Sequence, residues 1–251
     1  MSSQSINKRQ IIILVAIAFL VLGIVVIAFL PVFHVENQES IKASYAYLEK
    51  DERRPSLLPD DLSAAIVDKN GSWEANGPVS VSQLQQFVKE NKPIGALKLR
   101  SSDVNAEALA CLIDCGLTDF RIYNNDLGSQ ELRVISTING LKYLHLEDNR
   151  LSDSILVNLA GPEGLKTLII NQNKVGKQFI EHVSKTFKSL ETLDLSRTDI
   201  SASDLSSLSS TTLKKLKLYG CPNLSGKDQA KLRKLMRGTD IGIGKWGEQF
   251  D

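Results

Sequence analysis

One leucine-rich pattern recurs six times between residues 94 and 224, and it constrains the fold more than any other feature of the chain. The copies fit L-x-x-L-x-L-x-x-N/C-x-L, the first more loosely, and begin at Ile94, Leu117, Leu141, Leu165, Leu190 and Leu213. Subtracting these numbers gives intervals of 23, 24, 24, 25 and 23 residues. A fixed period of this length predicts a repeat architecture, in which each copy is one structural unit stacked on its neighbours.

Each copy predicts one short strand and one returning helix. Leu144 and Leu146 occupy pattern positions 4 and 6, so strand alternation directs both inward and their neighbours outward. Segments 152–159 and 201–208 begin with serine and then place apolar residues at helical spacing, which indicates short helices with N-caps. Because one coil cannot bury its apolar row alone, the sequence predicts an α/β solenoid with parallel strands on one face and helices on the other.

Pattern position 9 carries an asparagine in three copies, at Asn125, Asn149 and Asn173. An amide side chain both donates and accepts hydrogen bonds, which suits a buried position where the backbone turns. Thr198 and Cys221 fill the same position in later copies. We therefore expect a buried polar row along the solenoid.

Residues 94 to about 243 resemble the leucine-rich repeat family, and residues 149–159 (NRLSDSILVNL) resemble its bacterial type with a spacing of 24 residues. The first copy departs from that pattern, because Ser102 replaces the asparagine. The last copy contains Cys-Pro-Asn-Leu, which is similar to the cysteine-containing variety. The resemblance implies a curved horseshoe whose strands line the concave face, and a role in binding proteins rather than in catalysis.

Both ends of such a solenoid require caps. Residues 61–92 predict the first, with a hairpin turn at residues 69–71 and a helix over 81–90 that ends before Pro93. The second cap is predicted over 225–238, within a repeat domain of residues 93–251, with Ser225 as helix N-cap and Gly238 at the C-terminal end. The inward residues of this cap and the residues of a final strand are expected to be Leu232, Leu235, Met236, Ile241 and Ile243.

The N-terminal region predicts a membrane anchor. Ile11 to Leu30 are twenty consecutive apolar residues, enough for a helix to cross the hydrocarbon core, and we place the transmembrane segment at residues 11–33. Lys8 and Arg9 precede it, so the positive-inside rule makes residues 1–10 a cytoplasmic tail and places the repeats outside the cytoplasm. A cleaved signal peptide and an inverted orientation are the alternatives.

Residues 34–60 are charged and contain Pro55 and Pro59, which is typical of a stalk or linker. Ile41, Tyr45 and Leu48 form a short apolar stripe at helical spacing, too short to predict a dimer contact. The sequence indicates no oligomeric state.

Little in the chain suggests catalysis, a metal or a cofactor. The three histidines, His34, His145 and His182, have no partner that the sequence identifies, and we expect His145 to be an exposed residue of the strand face. Cys111 and Cys115 lie four residues apart on a predicted helix, but zinc requires two further ligands that the sequence does not provide nearby. We therefore expect both cysteines to be buried apolar residues, and the protein not to be an enzyme.

The outward strand positions, 5 and 7 of the pattern, are the predicted binding surface for a protein ligand. Arginine and tyrosine on a preformed sheet bury a large contact area with little ordering. The candidate residues are Lys98, Arg100, Arg121, Tyr123, His145, Glu147, Asn171, Asp194, Lys217 and Tyr219.

The net charge disfavours a strongly electrostatic partner for the whole chain, since 30 Lys plus Arg against 29 Asp plus Glu leave only +1. We therefore predict no nucleic-acid binding. Residues 213–237 differ, because eight basic residues minus the single Asp228 leave +7, which suits an anionic partner or a solvated helix face. Asn70 and Asn223 begin N-x-S glycosylation patterns, which matter only in a eukaryotic secretory pathway.

These observations predict a membrane-anchored leucine-rich-repeat module that binds a protein ligand. A passive envelope scaffold without a specific ligand is the alternative, and a secreted repeat protein follows if the anchor is cleaved.

Overall fold

The computed structural model describes residues 66–69 and 71–246 of the 251-residue chain. Within these described residues, nine strands form one sheet in chain order. They are β1 (Ile66–Lys69), β2 (Ser72–Asn76), β3 (Ala96–Arg100), β4 (Asp119–Tyr123), β5 (Tyr143–His145), β6 (Thr167–Ile169), β7 (Thr192–Asp194), β8 (Lys215–Lys217) and β9 (Asp240–Gly242). Only β1 and β2 pair antiparallel, as the predicted hairpin requires, and every later pair is parallel.

Helices separate the strands from β2 onward. They are α1 (Val81–Asn91), α2 (Ala106–Ala110), α3 (Ser129–Ser136), α4 (Asp153–Leu156), α5 (Lys177–Thr186), a 3₁₀ helix (Asp204–Ser210) and α6 (Gly226–Leu235). The segment expected to be a helix from Ser201 is therefore a 3₁₀ helix that begins at Asp204. The Asp204 carboxylate accepts bonds from the backbone N–H and the hydroxyl of Ser201 in the turn that precedes this helix.

The core is the leucine ladder that the period predicts. Leu144 and Leu146 are both fully buried, and the corresponding residues of the other copies join them in one apolar cluster with the inner faces of the helices. Burying a leucine side chain contributes about 2 kcal/mol, so this continuous ladder is the main source of stability. The repeats form a leucine-rich-repeat solenoid in which each coil covers the apolar row of its neighbour.

Asparagine side chains link consecutive coils at pattern position 9. The Oδ1 of Asn149 accepts the backbone N–H of Asn125 at 2.8 Å, and its Nδ2 donates to the carbonyl of Ile122 at 2.9 Å. Asn173 repeats both bonds one coil later, to the N–H of Asn149 at 3.1 Å and to the carbonyl of Leu146 at 2.7 Å. The predicted buried polar row is therefore confirmed, and its bonds run between coils.

The residue at pattern position 8, directly before each residue of this row, adopts the left-handed backbone conformation in all six copies. The φ angles lie between +49° and +69° at Ser101, Asn124, Asp148, Gln172, Arg197 and Gly220. Only the last is a glycine, although this conformation is unfavourable for other residues. The sequence pattern did not reveal this turn, because no common residue type marks it.

The C-terminal helix and strand differ from expectation at two residues, Leu235 and Ile243, and the second lies just after the end of β9. Ser225 is the N-cap of α6 and forms a capping box with Asp228, and Leu232 and Met236 are buried. The prediction that Leu235 faces inward is wrong, since its side chain is 44% exposed. It lies three residues beyond Leu232, at the end of the helix where the chain leaves the core for β9.

The predicted cytoplasmic tail, transmembrane segment and stalk, residues 1–60, lie outside the described residues. In the part of the chain that the structure does describe, no helix has both the length and the apolar character needed to cross a bilayer.

Candidate functional site

The outward side chains of the sheet form a surface that we call the strand face. Parallel register aligns pattern position 5 into one row, in which Lys98, Arg121 and His145 are successive neighbours. Asp194 and Lys217 continue this row in β7 and β8. Position 7 forms a second row that includes Arg100 and Tyr123. The structure therefore brings the predicted residues onto one surface, although it buries some of them.

Cations stack on tyrosine rings in the N-terminal half of the strand face. The guanidinium of Arg100 lies 4.8 Å from the centre of the Tyr123 ring, and that of Arg121 lies 4.7 Å from the Tyr143 ring. Lys98 approaches Tyr123 at 5.7 Å. Such contacts are worth about 0.5–1 kcal/mol at exposed sites, and they restrict long side chains that would otherwise be mobile. Tyr143 was not among the predicted residues, because it occupies pattern position 3.

Two of these cations, Arg121 and Lys98, also bind carboxylates. Arg121 donates Nε to one Asp119 oxygen at 2.9 Å and Nη2 to the other at 2.7 Å, and Lys98 Nζ binds Glu74 at 2.6 Å. Burial opposes ionisation of Glu74, but Lys98 and Lys69 outweigh it and lower the pKa of that carboxyl. Burial raises the pKa of Tyr143 to about 12. At neutral pH this region therefore presents fixed cations and neutral phenols.

His145 forms the centre of a polar network and is not the exposed residue that the sequence predicted. Its side chain is 12% exposed. Nε2 donates to Glu147 at 3.0 Å and lies 3.2 Å from the Asn171 Oδ1, while Nδ1 lies 3.0 Å from the Tyr123 hydroxyl. The Glu147 carboxylate also accepts from Gln172. The sequence missed these partners because they lie on three different coils.

The hydrogen bond from His145 is the leading cause that lowers the pKa of Glu147, and burial opposes it. Burial also raises the pKa of the Tyr123 phenol. Both His145 ring nitrogens are bonded to side chains of the protein itself. In this arrangement the His145–Glu147 pair orders the surface, and neither ring nitrogen is directed at an open cavity.

The C-terminal half of the strand face is more closely packed than expected. Asn171 and Asp194 were predicted as surface contacts, but they are only 3% and 5% exposed. The Asp194 Oδ1 accepts the backbone N–H of Ser196 at 3.0 Å, and Lys217 Nζ lies 3.8 Å from Oδ2. Tyr219 lies against Gly242, where a Cβ would collide with its ring. Asp194 lies between Ile169 and Lys217 of the adjacent strands, and Asn171 contacts the His145 ring, so neighbouring side chains cover both.

The cysteines do not form a site. Cys115 is fully buried, as expected, and its Sγ donates to the carbonyl of Leu112 at 3.1 Å. Cys111 is only partly buried, and α2 ends at Ala110, so the two do not share a helix. Within residues 66–69 and 71–246, no three His, Cys, Asp or Glu residues are grouped as a metal site would require. His182 packs against the outer helix layer between Phe179 and Phe187, and its Nε2 lies 2.9 Å from the carbonyl of Leu159.

The basic run at residues 213–237 is partly neutralised. Lys214 Nζ binds Glu191 at 2.7 Å, and Lys231 Nζ lies 3.6 Å from Asp228. Hydrogen bonds from Lys166 and Lys214 lower the pKa of Glu191 to about 2. The other exposed cations of the run are Lys215, Lys227, Arg233, Lys234 and Arg237.

No protein-family model matches the sequence, and neither does any curated protein. Among solved structures, the tropomodulin C-terminal domain of Caenorhabditis elegans is 11% identical, covers 64% of this chain and 93% of its own, and has a TM-score of 0.39. An internalin of Listeria monocytogenes is 16% identical, with 68% of this chain and 58% of the internalin covered and a TM-score of 0.40. The plant peptide hormone receptor RGFR1, solved in complex with RGF2, is 16% identical, with 72% and 37% covered and a TM-score of 0.33. The leucine period, the parallel strand register and the asparagine bonds between coils are what show that this chain forms a solenoid.

Proposed function

We propose that this protein is a membrane-anchored interaction module that binds a protein ligand through the N-terminal half of its strand face. The observation that carries the proposal is the ordering of Arg100 and Arg121 on the rings of Tyr123 and Tyr143. Arginine and tyrosine dominate the energy of protein interfaces, and side chains that are already ordered lose little entropy on binding. The surface is thus prepared for contact before a ligand arrives.

The anchor in this proposal is the apolar segment from Ile11 to Leu30. Lys8 and Arg9 favour a cytoplasmic N-terminus, so the repeats are proposed to lie outside the cytoplasm. Protease added to intact cells tests this orientation. Digestion of the repeats without lysis supports it, whereas protection until lysis supports the inverted orientation.

We assign no catalytic role to the strand face. His145 and Glu147 would be the natural acid–base pair, but their bonds to Tyr123, Asn171 and Gln172 already occupy them. A general base needs a nitrogen or oxygen within reach of a substrate proton. The pair serves the proposed function by keeping the Tyr123 ring in position beneath Arg100.

Crosslinking and recovery of the full chain from its own cells test the ligand-binding role. The test variant is Lys98→Ala with Arg100→Ala and Arg121→Ala, and the matched control is Lys227→Ala with Lys231→Ala and Arg233→Ala on α6. We expect the test variant to lose at least nine-tenths of a specific crosslinked partner and the control to retain it. A passive scaffold predicts equal recovery from all three proteins, and that result would overturn the proposal.

A further inference from the structure

A depression lies at the edge of the solenoid where the strands turn toward the helices, and we call it the rim depression. Its volume is about 510 Å³. Its lining residues are Asp148, Arg150, Gln172, Asn173, Lys174 and Arg197. Three cations thus face one carboxylate in a concave space that adjoins the strand face at Gln172, the partner of Glu147.

The three cations of the rim depression are not neutralised within the described part of the chain. Arg150 and Lys174 are exposed and take part in none of the ion pairs found there. Arg197 is also exposed, and its guanidinium stacks on the Trp246 ring at 5.2 Å. On the strand face, by contrast, Lys98 and Arg121 each bind a carboxylate of the protein. The three rim cations therefore make no ion pair with a carboxylate of the described residues.

The backbone that presents these cations is held in place. Arg150 and Arg197 have φ angles of +55° and +58°, in the left-handed region that disfavours side chains larger than glycine or asparagine. The Arg197 N–H donates to the carbonyl of Tyr219 at 2.8 Å, and the Gln172 N–H donates to that of Ser196 at 3.2 Å. The following coil therefore holds the backbone at Arg197, as it does at Gln172.

Trp246 adds an apolar surface beside Arg197. It is 39% exposed, and in residues 66–69 and 71–246 only Leu235 is another large apolar side chain with comparable exposure. Its Cβ lies close to Gly220, where any added side chain would press against it. A cationic depression next to an exposed indole suits a carboxylate-bearing segment that also carries an apolar residue.

We infer that the rim depression binds an acidic segment of the protein ligand, with its carboxylates on Arg150, Lys174 and Arg197 and an apolar side chain on Trp246. This inference rests on the proposed ligand-binding function and specifies the chemistry of the partner. The strand face would contact the body of the ligand, and the rim would select partners that carry acidic residues at the adjoining edge.

Fluorescence anisotropy with the full chain in neutral detergent tests the inference. The probe is a fluorescein-labelled Glu-Glu-Leu-Glu-Glu-Leu peptide at 0.15 M salt. The rim variant is Arg150→Gln with Lys174→Gln and Arg197→Gln, and the control is Lys227→Gln with Lys231→Gln and Arg233→Gln, which removes the same charge from α6. We expect at least tenfold weaker binding by the rim variant and less than a twofold change in the control.

At Gln172 a glutamine holds the left-handed position that Arg197 holds one coil later, so glutamine is compatible with the backbone at Arg197. Circular dichroism verifies that the whole rim variant folds. Trp246→Ala, which removes no charge, is expected to weaken peptide binding about threefold. If the rim variant and the control weaken peptide binding equally, the peptide is attracted by the overall positive charge and not by the rim depression, and the inference is wrong. Absence of peptide binding by the unmodified protein would overturn it as well.

The crosslinking experiment separates this inference from the proposed function. Loss of the cellular partner with the strand-face variant but not with the rim variant contradicts the inference and leaves the proposed function in place. Loss with the rim variant alone would contradict the strand face as the ligand surface.

Discussion

The first and the last coils of this solenoid use different side chains at pattern position 9 to bond the buried backbone groups of the turn. In the first, Asn125, Asn149 and Asn173 accept a backbone N–H from the preceding coil. In the last, Thr198 donates to the carbonyl of Leu195 within its own coil at 2.6 Å. Cys221 Sγ donates to the same carbonyl from the following coil at 3.2 Å.

The difference shows which hydrogen bond of the asparagine side chain another residue can replace. The Cys221 thiol donates to pattern position 6 of the preceding coil, as the Asn149 and Asn173 amides do. The backbone N–H of Thr198 meets the Cys221 sulfur, which is a weaker acceptor than an amide oxygen. The Thr198 hydroxyl donates within its own coil and does not link two coils as the amides do. The last coils are therefore tied together more by apolar packing and less by polar bonds between coils.

The strand face also differs between its N-terminal and C-terminal halves, and the change comes one coil earlier than in the asparagine row. Long charged and aromatic side chains stack on one another in the N-terminal half, from Lys98 to His145. In the C-terminal half, Asp194 is buried between Ile169 and Lys217 of the adjacent strands. The N-terminal half therefore has both the asparagine hydrogen bonds between coils and the stacked cationic and aromatic side chains on its outer surface.

The largest expected effect is on the asparagine row. Asn149→Ala removes two bonds and leaves the N–H of Asn125 and the carbonyl of Ile122 buried without these partners. Since each unsatisfied buried group costs about 1–3 kcal/mol, we expect the free energy of unfolding to fall by about 4 kcal/mol. Cys221→Ala, which removes one weak donor, should lower it by about 1 kcal/mol. Chemical denaturation followed by circular dichroism measures both, and equal losses would contradict the contrast between the two ends.

A smaller effect is expected at the tyrosines of position 7. Tyr123→Phe removes the hydroxyl beside His145 Nδ1 and should lower the free energy of unfolding by about 1.5 kcal/mol, because that nitrogen is shielded from water. The control is Tyr219→Phe, in the sparser half, for which we expect a loss below about 0.5 kcal/mol because its ring packing is kept. Thermal melts of the two variants compare them directly. A larger loss for Tyr219→Phe would show that the C-terminal half carries the tighter polar network.

The smallest expected effect concerns pH. The folded-state pKa of Glu147 lies below the ordinary value of 4.5, so its ionised form adds stability above that value and loses it as pH falls through the folded pKa. Glu147→Gln should therefore be less stable than the unmodified protein by about 1 kcal/mol at pH 7, and the gap should close below pH 4.5. Unfolding curves measured between pH 7 and pH 3 test this. A gap that widens toward acid would mean that His145 does not stabilise the ionised carboxylate.

Much of the fold could be predicted because its period is local. The leucines of positions 4 and 6, the cap helix before Pro93 and the N-cap Ser225 each depend on residues within one coil or one turn. The candidate site was harder, since exposure on the strand face depends on neighbours about 24 residues away. His145 and Asp194 were expected at the surface, yet side chains from adjacent coils cover them.

The sequence alone determined that this chain forms stacked coils, because a leucine row repeated every 23 to 25 residues can be buried only by another copy of itself. It also determined which residues point out of the sheet, because strand alternation is a local property. The tertiary structure decided which of those residues remain accessible and which cations lack a partner. Those outcomes depend on the side chain that each neighbouring coil places alongside, and here they leave Arg150, Lys174 and Arg197 open at the rim while enclosing His145 within the strand face.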